Sequence, residues 1–121
     1  MANAFKNITM TGTHAADADL VVGDFGGVSN AVASGSEVTV IGMTIANVTS
    51  GVINVSVKLF HNVTATFVVQ DAPIPAGGSL VVAGGDQKLV LWYHNSYGNV
   101  LKVRSNTLNS MNVVLSYLRF S

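Results

Sequence analysis

The side chains able to do chemistry in this chain are few and scattered. The three histidines, His14, His61 and His94, lie far apart. None has the His-x-x-x-His spacing that sets two imidazoles on one helix face. With no cysteine present, a zinc site would need all three histidines or help from carboxylates. Asp17, Asp19 and Asp24 are close in sequence. They lack the Asp-x-Asp-x-Asp-Gly…Glu order that shapes a calcium coordination sphere, so solvated loop carboxylates are expected. No Gly-x-Ser-x-Gly elbow offers a serine nucleophile. A carboxylate pair for glycoside hydrolysis would come from Asp17, Asp19, Asp24, Glu37, Asp71 and Asp86, and spacing favours no pair among them. Gly77-Gly78 and Gly84-Gly85 follow turns and not a strand leading into a helix, which argues against a phosphate loop. The expectation is a protein that is not an enzyme, with no metal and no cofactor. One cluster remains: Trp92, Tyr93, His94 and Tyr97, a candidate partner contact able to stack on a sugar or base. In a strand Trp92 and Tyr93 face opposite ways, so at most one of them belongs to the core. Packing or an oligomer contact is the commoner fate of such residues.

The elements that position this cluster follow from composition. The chain has 121 residues, the size of one domain. Its 20 Val favour pleated surfaces, while 12 Gly and 11 Asn suit turns. Hydrophobic residues make up 49%, which argues against disorder. No basic excess points to nucleic acid, since six Lys and Arg balance six Asp and Glu. No run of apolar residues is long enough for a membrane span, and the N-terminus does not read as a signal peptide. The Asn-x-Ser/Thr triplets at Asn7, Asn47, Asn54 and Asn62 are therefore not expected to carry glycans. Only 10% of residues are charged, against about 25% in an average chain. A surface so poor in charge points to burial against copies of itself or a partner. Charge is also uneven: residues 1–57 carry a net −3 and residues 58–121 a net +3. Either the two halves guide docking, or they interleave in the fold and the asymmetry vanishes in space.

Period-2 alternation marks strands. Ile53, Val55, Val57 and Leu59 oppose Asn54, Ser56 and Lys58; Met111, Val113, Leu115 and Tyr117 oppose Asn112, Val114, Ser116 and Leu118. The second of these is apolar on part of both faces, which predicts a central or covered strand. In Val38 to Ala46, alternation sets Ile41, Met43 and Ile45 on one face and Val38 and Val40 on the other. The predicted strands are 4–11, 19–22, 37–47, 52–60, 64–71, 79–83, 87–93, 99–104 and 111–120. Asn47 to Gly51 reads as a hairpin loop, His61-Asn62-Val63 as a short turn, and Asn95 to Asn99 as a wider turn. The stretch Asp71 to Gly78 holds Pro73 and Pro75, which exclude a central strand. No helix is expected. Eight or nine short antiparallel strands at this spacing predict an all-β protein, a β-sandwich or jelly roll. Residues 12–36 are built of small residues and read either as an arm ordered by a neighbour or as a Greek-key crossover with a short strand at Leu20 to Val22.

The C-terminal half carries a resemblance. Asp71-Ala72-Pro73-Ile74-Pro75-Ala76-Gly77-Gly78-Ser79-Leu80-Val81-Val82 runs into Gly84-Gly85-Asp86-Gln87-Lys88-Leu89-Val90-Leu91. Leu101-Lys102-Val103-Arg104-Ser105 follows, and Val113-Val114-Leu115-Ser116-Tyr117-Leu118 closes the chain. Over roughly residues 52–120 this resembles short virion structural proteins of tailed bacteriophages, many infecting cyanobacteria and other aquatic bacteria. Two departures stand out. Trp92 to Asn99 is longer and more aromatic than the family's short Gly-Asp turn, and Arg119 stands where an acidic residue is common.

The resemblance implies a capsid decoration (cement) protein that binds the outer capsid shell and stabilises it. The implied location is the capsid surface of the virion, after synthesis in the host bacterial cytoplasm. The implied partners are the major capsid protein or another virion protein and the chain itself, as a homotrimer or else a dimer. Neither nucleic acid nor membrane is expected as a partner. The alternatives are a tail, neck or fibre component that contacts receptor or glycan through residues 92–99, and a carbohydrate-binding module unrelated to virions.

Overall fold

The computed structural model describes residues 3–10, 17, 19–23, 25–27, 30–84 and 88–120. Among these lie nine strands and no α-helix: β1 (Asn3–Met10), β2 (Leu20–Val22), β3 (Glu37–Asn47), β4 (Ile53–His61), β5 (Thr64–Ile74), β6 (Ser79–Ala83), β7 (Leu89–His94), β8 (Tyr97–Ser105) and β9 (Met111–Phe120). All pairings are antiparallel. One layer runs β1-β9-β3, with β6 and β7 sharing the far edge of β3. The other runs β2-β8-β4-β5. Two residue pairs of the β7–β8 hairpin, Tyr93↔Gly98 and His94↔Tyr97, join the layers at a corner. The chain crosses between layers at every connection except β4–β5 and β6–β7. That path is a jelly roll whose sixth position is split into β6 and β7.

The layers close over one core. Val38, Val40, Met43 and Ile45 of β3 and Met111, Val113, Leu115 and Tyr117 of β9 face Ile53, Val55 and Val57 of β4 and Leu101 and Val103 of β8, all buried. Each such side chain contributes about 1.5–3 kcal/mol by leaving water. As its two-sided apolar pattern predicts, β9 is central, between β1 and β3.

Four local expectations are corrected. Val38, Val40, Met43 and Ile45 share the inner face, because a bulge between Val40 and Gly42 adds a residue and resets the alternation. Asn47 to Gly51 is a crossover between layers, not a hairpin loop, since β3 and β4 do not pair. Asn95 and Ser96 alone form the β7–β8 turn, with φ of 50° and 69°. Positive φ at both central residues suits the twist of a two-residue hairpin. Finally, β5 continues through Pro73 to Ile74, which is tolerated because β5 is an edge strand.

The described residues between 17 and 36 pack on the sandwich itself. β2 pairs with β8, and the amide of Asp17 donates to the Ser105 carbonyl at 2.8 Å. Phe25 is fully buried and meets Tyr117 edge-on, with ring centroids 5.2 Å apart. Asp19 is not a solvated loop carboxylate. Lys58 Nζ donates to both its oxygens at 3.2 Å and Arg104 Nε to Oδ1 at 3.0 Å. An acid from the negative half thus sits between two cations of the positive half, so the two halves interleave here. Asp24 and Asp86 lie outside the described residues, as does His14. We predict that Asp19→Ala lowers stability by about 1–2 kcal/mol, since it leaves a largely buried ammonium without its carboxylate. The urea midpoint should fall at unchanged slope.

Candidate functional site

The outer face of the β1-β9-β3-β6/β7 layer gathers several exposed apolar side chains. Register brings three rows together across β3: Val114–Thr44–Val81, Leu118–Thr39–Val90 and Phe120–Glu37–Trp92. Val81 is 65% exposed, Val90 55%, Trp92 54% and Val114 47%, and Phe120 is exposed as well. Glu37 is the one charged residue in these rows. Alternation explains the arrangement. Leu89, Leu91 and Tyr93 turn inward on β7, so Val90, Trp92 and His94 turn outward. Exposed apolar side chains thus flank a polar central line of Thr44, Thr39 and Glu37, and apolar exposure gathered on one face makes it a candidate contact surface. Trp92 belongs to the aromatic cluster visible in the sequence, but the valines do not stand out there, because each sits alone on a strand and only pairing gathers them.

The opposite outer face has different chemistry. Lys58, Lys102 and Arg104 lie there in cross-strand register around Phe60 and Phe67. Lys102 Nζ stands 4.3 Å from the Phe60 ring centroid and Lys58 Nζ 5.3 Å from that of Phe67. At these distances the ring faces attract the ammonium groups. The two faces of the sandwich are therefore electrostatically unlike.

Of the four residues of the aromatic cluster, three come together with a fourth partner, His61, at the corner between the layers. Trp92 stacks on His94 with centroids 4.2 Å apart, and His94 stacks on His61 at 4.0 Å and 5° between planes. Tyr97 meets His61 edge-on at 5.8 Å. The Nε2–H of His61 donates to the His94 carbonyl at 2.9 Å, which fixes its tautomer. Tyr93 points to the other side, half-buried against the core. Nothing in the sequence ties His61 to His94, 33 positions away. Their meeting follows from β4 and β7 both flanking β8.

Two asparagines hold this end and the opposite one. Asn99, buried in β8, accepts the Trp92 amide on Oδ1 at 3.0 Å and donates from Nδ2 to the Phe60 carbonyl at 3.3 Å. It links β7, β8 and β4 and sets the height of Trp92. Asn47 donates to the carbonyls of Gly51 at 2.7 Å and Ile74 at 2.9 Å, and accepts from the Thr49 amide and hydroxyl. Its amide is buried and fully used, so the Asn47-Val48-Thr49 triplet does not present an acceptor nitrogen. Both residues read as turn formers in the sequence, and their bonding partners lie too far along the chain for local patterns to show.

Arg119 is tucked inward. Its guanidinium occupies the place where a Cβ on residue 26 would stand. The position that departs from the bacteriophage pattern thus serves packing against residues 25–27. Among the described residues no group of three or more His, Asp or Glu is arranged to hold a metal ion. No helix of the described residues is long and apolar enough to cross a membrane. No protein-family model, no curated protein and no solved structure matches the chain.

Proposed function

We propose that this chain is a bacteriophage virion structural protein, a capsid decoration protein that binds the outer shell and stabilises it. The observation that carries the reading is the set of exposed apolar side chains, Val81, Val90, Trp92, Val114 and Phe120, gathered on one outer face on either side of β3. Such a face suits standing contact with another protein. The jelly roll is a fold that viral capsid and lectin domains use, and fold alone does not assign function. The resemblance of residues 52–120 to short virion proteins supplies the rest. The mechanism is linkage. A protein that binds only the assembled shell stabilises it by RT ln(1 + [L]/Kd), about 2.7 kcal/mol per site at a hundredfold excess over Kd. Repeated over many sites, this resists internal pressure without any chemical step. The oligomer proposed is a homotrimer, which matches positions where three capsomers meet.

A second reading, a tail or fibre component, is favoured by the exposed Trp92 at the end of the histidine stack. Quantitative mass spectrometry of purified particles separates the two. Copies in the hundreds support decoration, and a dozen or fewer support the tail. Absence from the particle overturns both.

A further inference from the structure

A groove of about 530 Å³ lies beside the corner, between residues 31–34, the β4–β5 turn and the β7–β8 hairpin. Its chemistry is carried by Tyr93, Tyr97, Asn62, Ser34 and Ser96 over a floor that includes Val32. This volume suits a small ligand. We propose that the groove binds a neutral saccharide ring. The reading is independent of the virion proposal and uses a surface apart from the valine face.

Three observations support this occupant. First, every described lining side chain is uncharged. Among the described lining residues an anionic ligand finds no Arg or Lys to pair with, and a cation no carboxylate. Second, two phenol rings border the groove. Aromatic faces take the C–H face of a sugar, and phenol hydroxyls take its hydroxyls, so each tyrosine serves both sides of an amphipathic ring. The Asn62 amide and the hydroxyls of Ser34 and Ser96 add neutral donors and acceptors, as a polyhydroxylated ligand needs. Third, the groove is held from below. Tyr93 packs against the core, the Val32 amide donates to the Asn99 carbonyl at 3.1 Å, and Asn62 and Ser96 sit at turns with φ of 58° and 69°. A site built on fixed elements loses little freedom when the ligand binds.

The test is an array of neutral and sialylated oligosaccharides probed with the full chain, followed by titration of the best neutral ligand into Tyr93→Ala, Tyr97→Ala and Asn62→Gly. The glycine variant keeps the turn conformation while removing the amide, so it reports binding even where a tyrosine variant loses stability. Binding of neutral glycans that weakens roughly tenfold or more in Asn62→Gly and Tyr97→Ala is expected. No glycan binding, stronger binding of sialylated ligands, or affinity unchanged across all three variants would overturn the proposal. None of these results would alter the copy number in particles, so the virion reading stands or falls separately.

Discussion

Gly98→Ala should lower stability by about 3 kcal/mol, at the upper end of what overpacking costs. The midpoint of thermal unfolding should fall by roughly 10 °C or more. Gly98 lies in β8, directly against the backbone of Val32. A Cβ at this position would drive into the Val32 carbonyl and crowd its amide nitrogen. The obstacle is main chain, which cannot rotate aside as a side-chain tip can. Relief requires residues 31–34 to lift away from the hairpin. Lifting them breaks the Val32 amide bond to the Asn99 carbonyl, opens the Gly26–Val32 bridge and exposes Val32, now buried in the core. Gly51→Ala is the control. A Cβ there meets nothing, so stability should change by less than about 0.5 kcal/mol and the midpoint should barely move. Equal midpoints for the two variants would refute the close approach.

That contact also shows where the sequence stops being informative. Strand positions were legible wherever alternation ran unbroken, as in Ile53 to Leu59 and Met111 to Tyr117, because burial on one face leaves a direct trace in residue type. The bulge at Val40–Gly42 was not, since one extra residue inverts the apparent faces without changing composition. Pro73 correctly argued against a central strand, yet it could not mark where the edge strand ends. The Asn95-Ser96 turn was hidden because Tyr97, Gly98 and Asn99 resemble turn residues, while in the fold Gly98 makes room for Val32 and Asn99 spans three strands. For the candidate site, the cluster of Trp92, Tyr93, His94 and Tyr97 was legible, but not which of Trp92 and Tyr93 faces outward. The valine face was not, because Val81, Val90 and Val114 become neighbours only through β3. Residue type records whether a side chain faces solvent, but not which distant strand lies alongside it.

The valine face yields the second large effect. Val90→Lys combined with Val114→Lys should weaken association with the proposed capsid partner at least a hundredfold, about 2.7 kcal/mol, while stability of the isolated chain changes by less than about 0.5 kcal/mol. Both side chains are about half exposed and point outward beside Thr39 and Thr44, so lysine reaches solvent without disturbing the inner face. In a complex the same ammonium groups would have to leave water against an apolar contact, and that desolvation is costly when no carboxylate awaits them. Glu37 stands between Trp92 and Phe120, away from the Val114–Thr44–Val81 row, so it does not compensate both substitutions. The opposite change, Lys102→Ala with Arg104→Ala on the other layer, should leave association within roughly threefold if the valine face alone makes the contact. Co-sedimentation with purified shells reads the affinity, and sedimentation velocity reads the self-association of each variant. If the lysine variants bind as the parent does and the alanine variants do not, the contact belongs to the basic layer. Lys102 and Arg104, not the valines, would then carry the proposed contact with the shell.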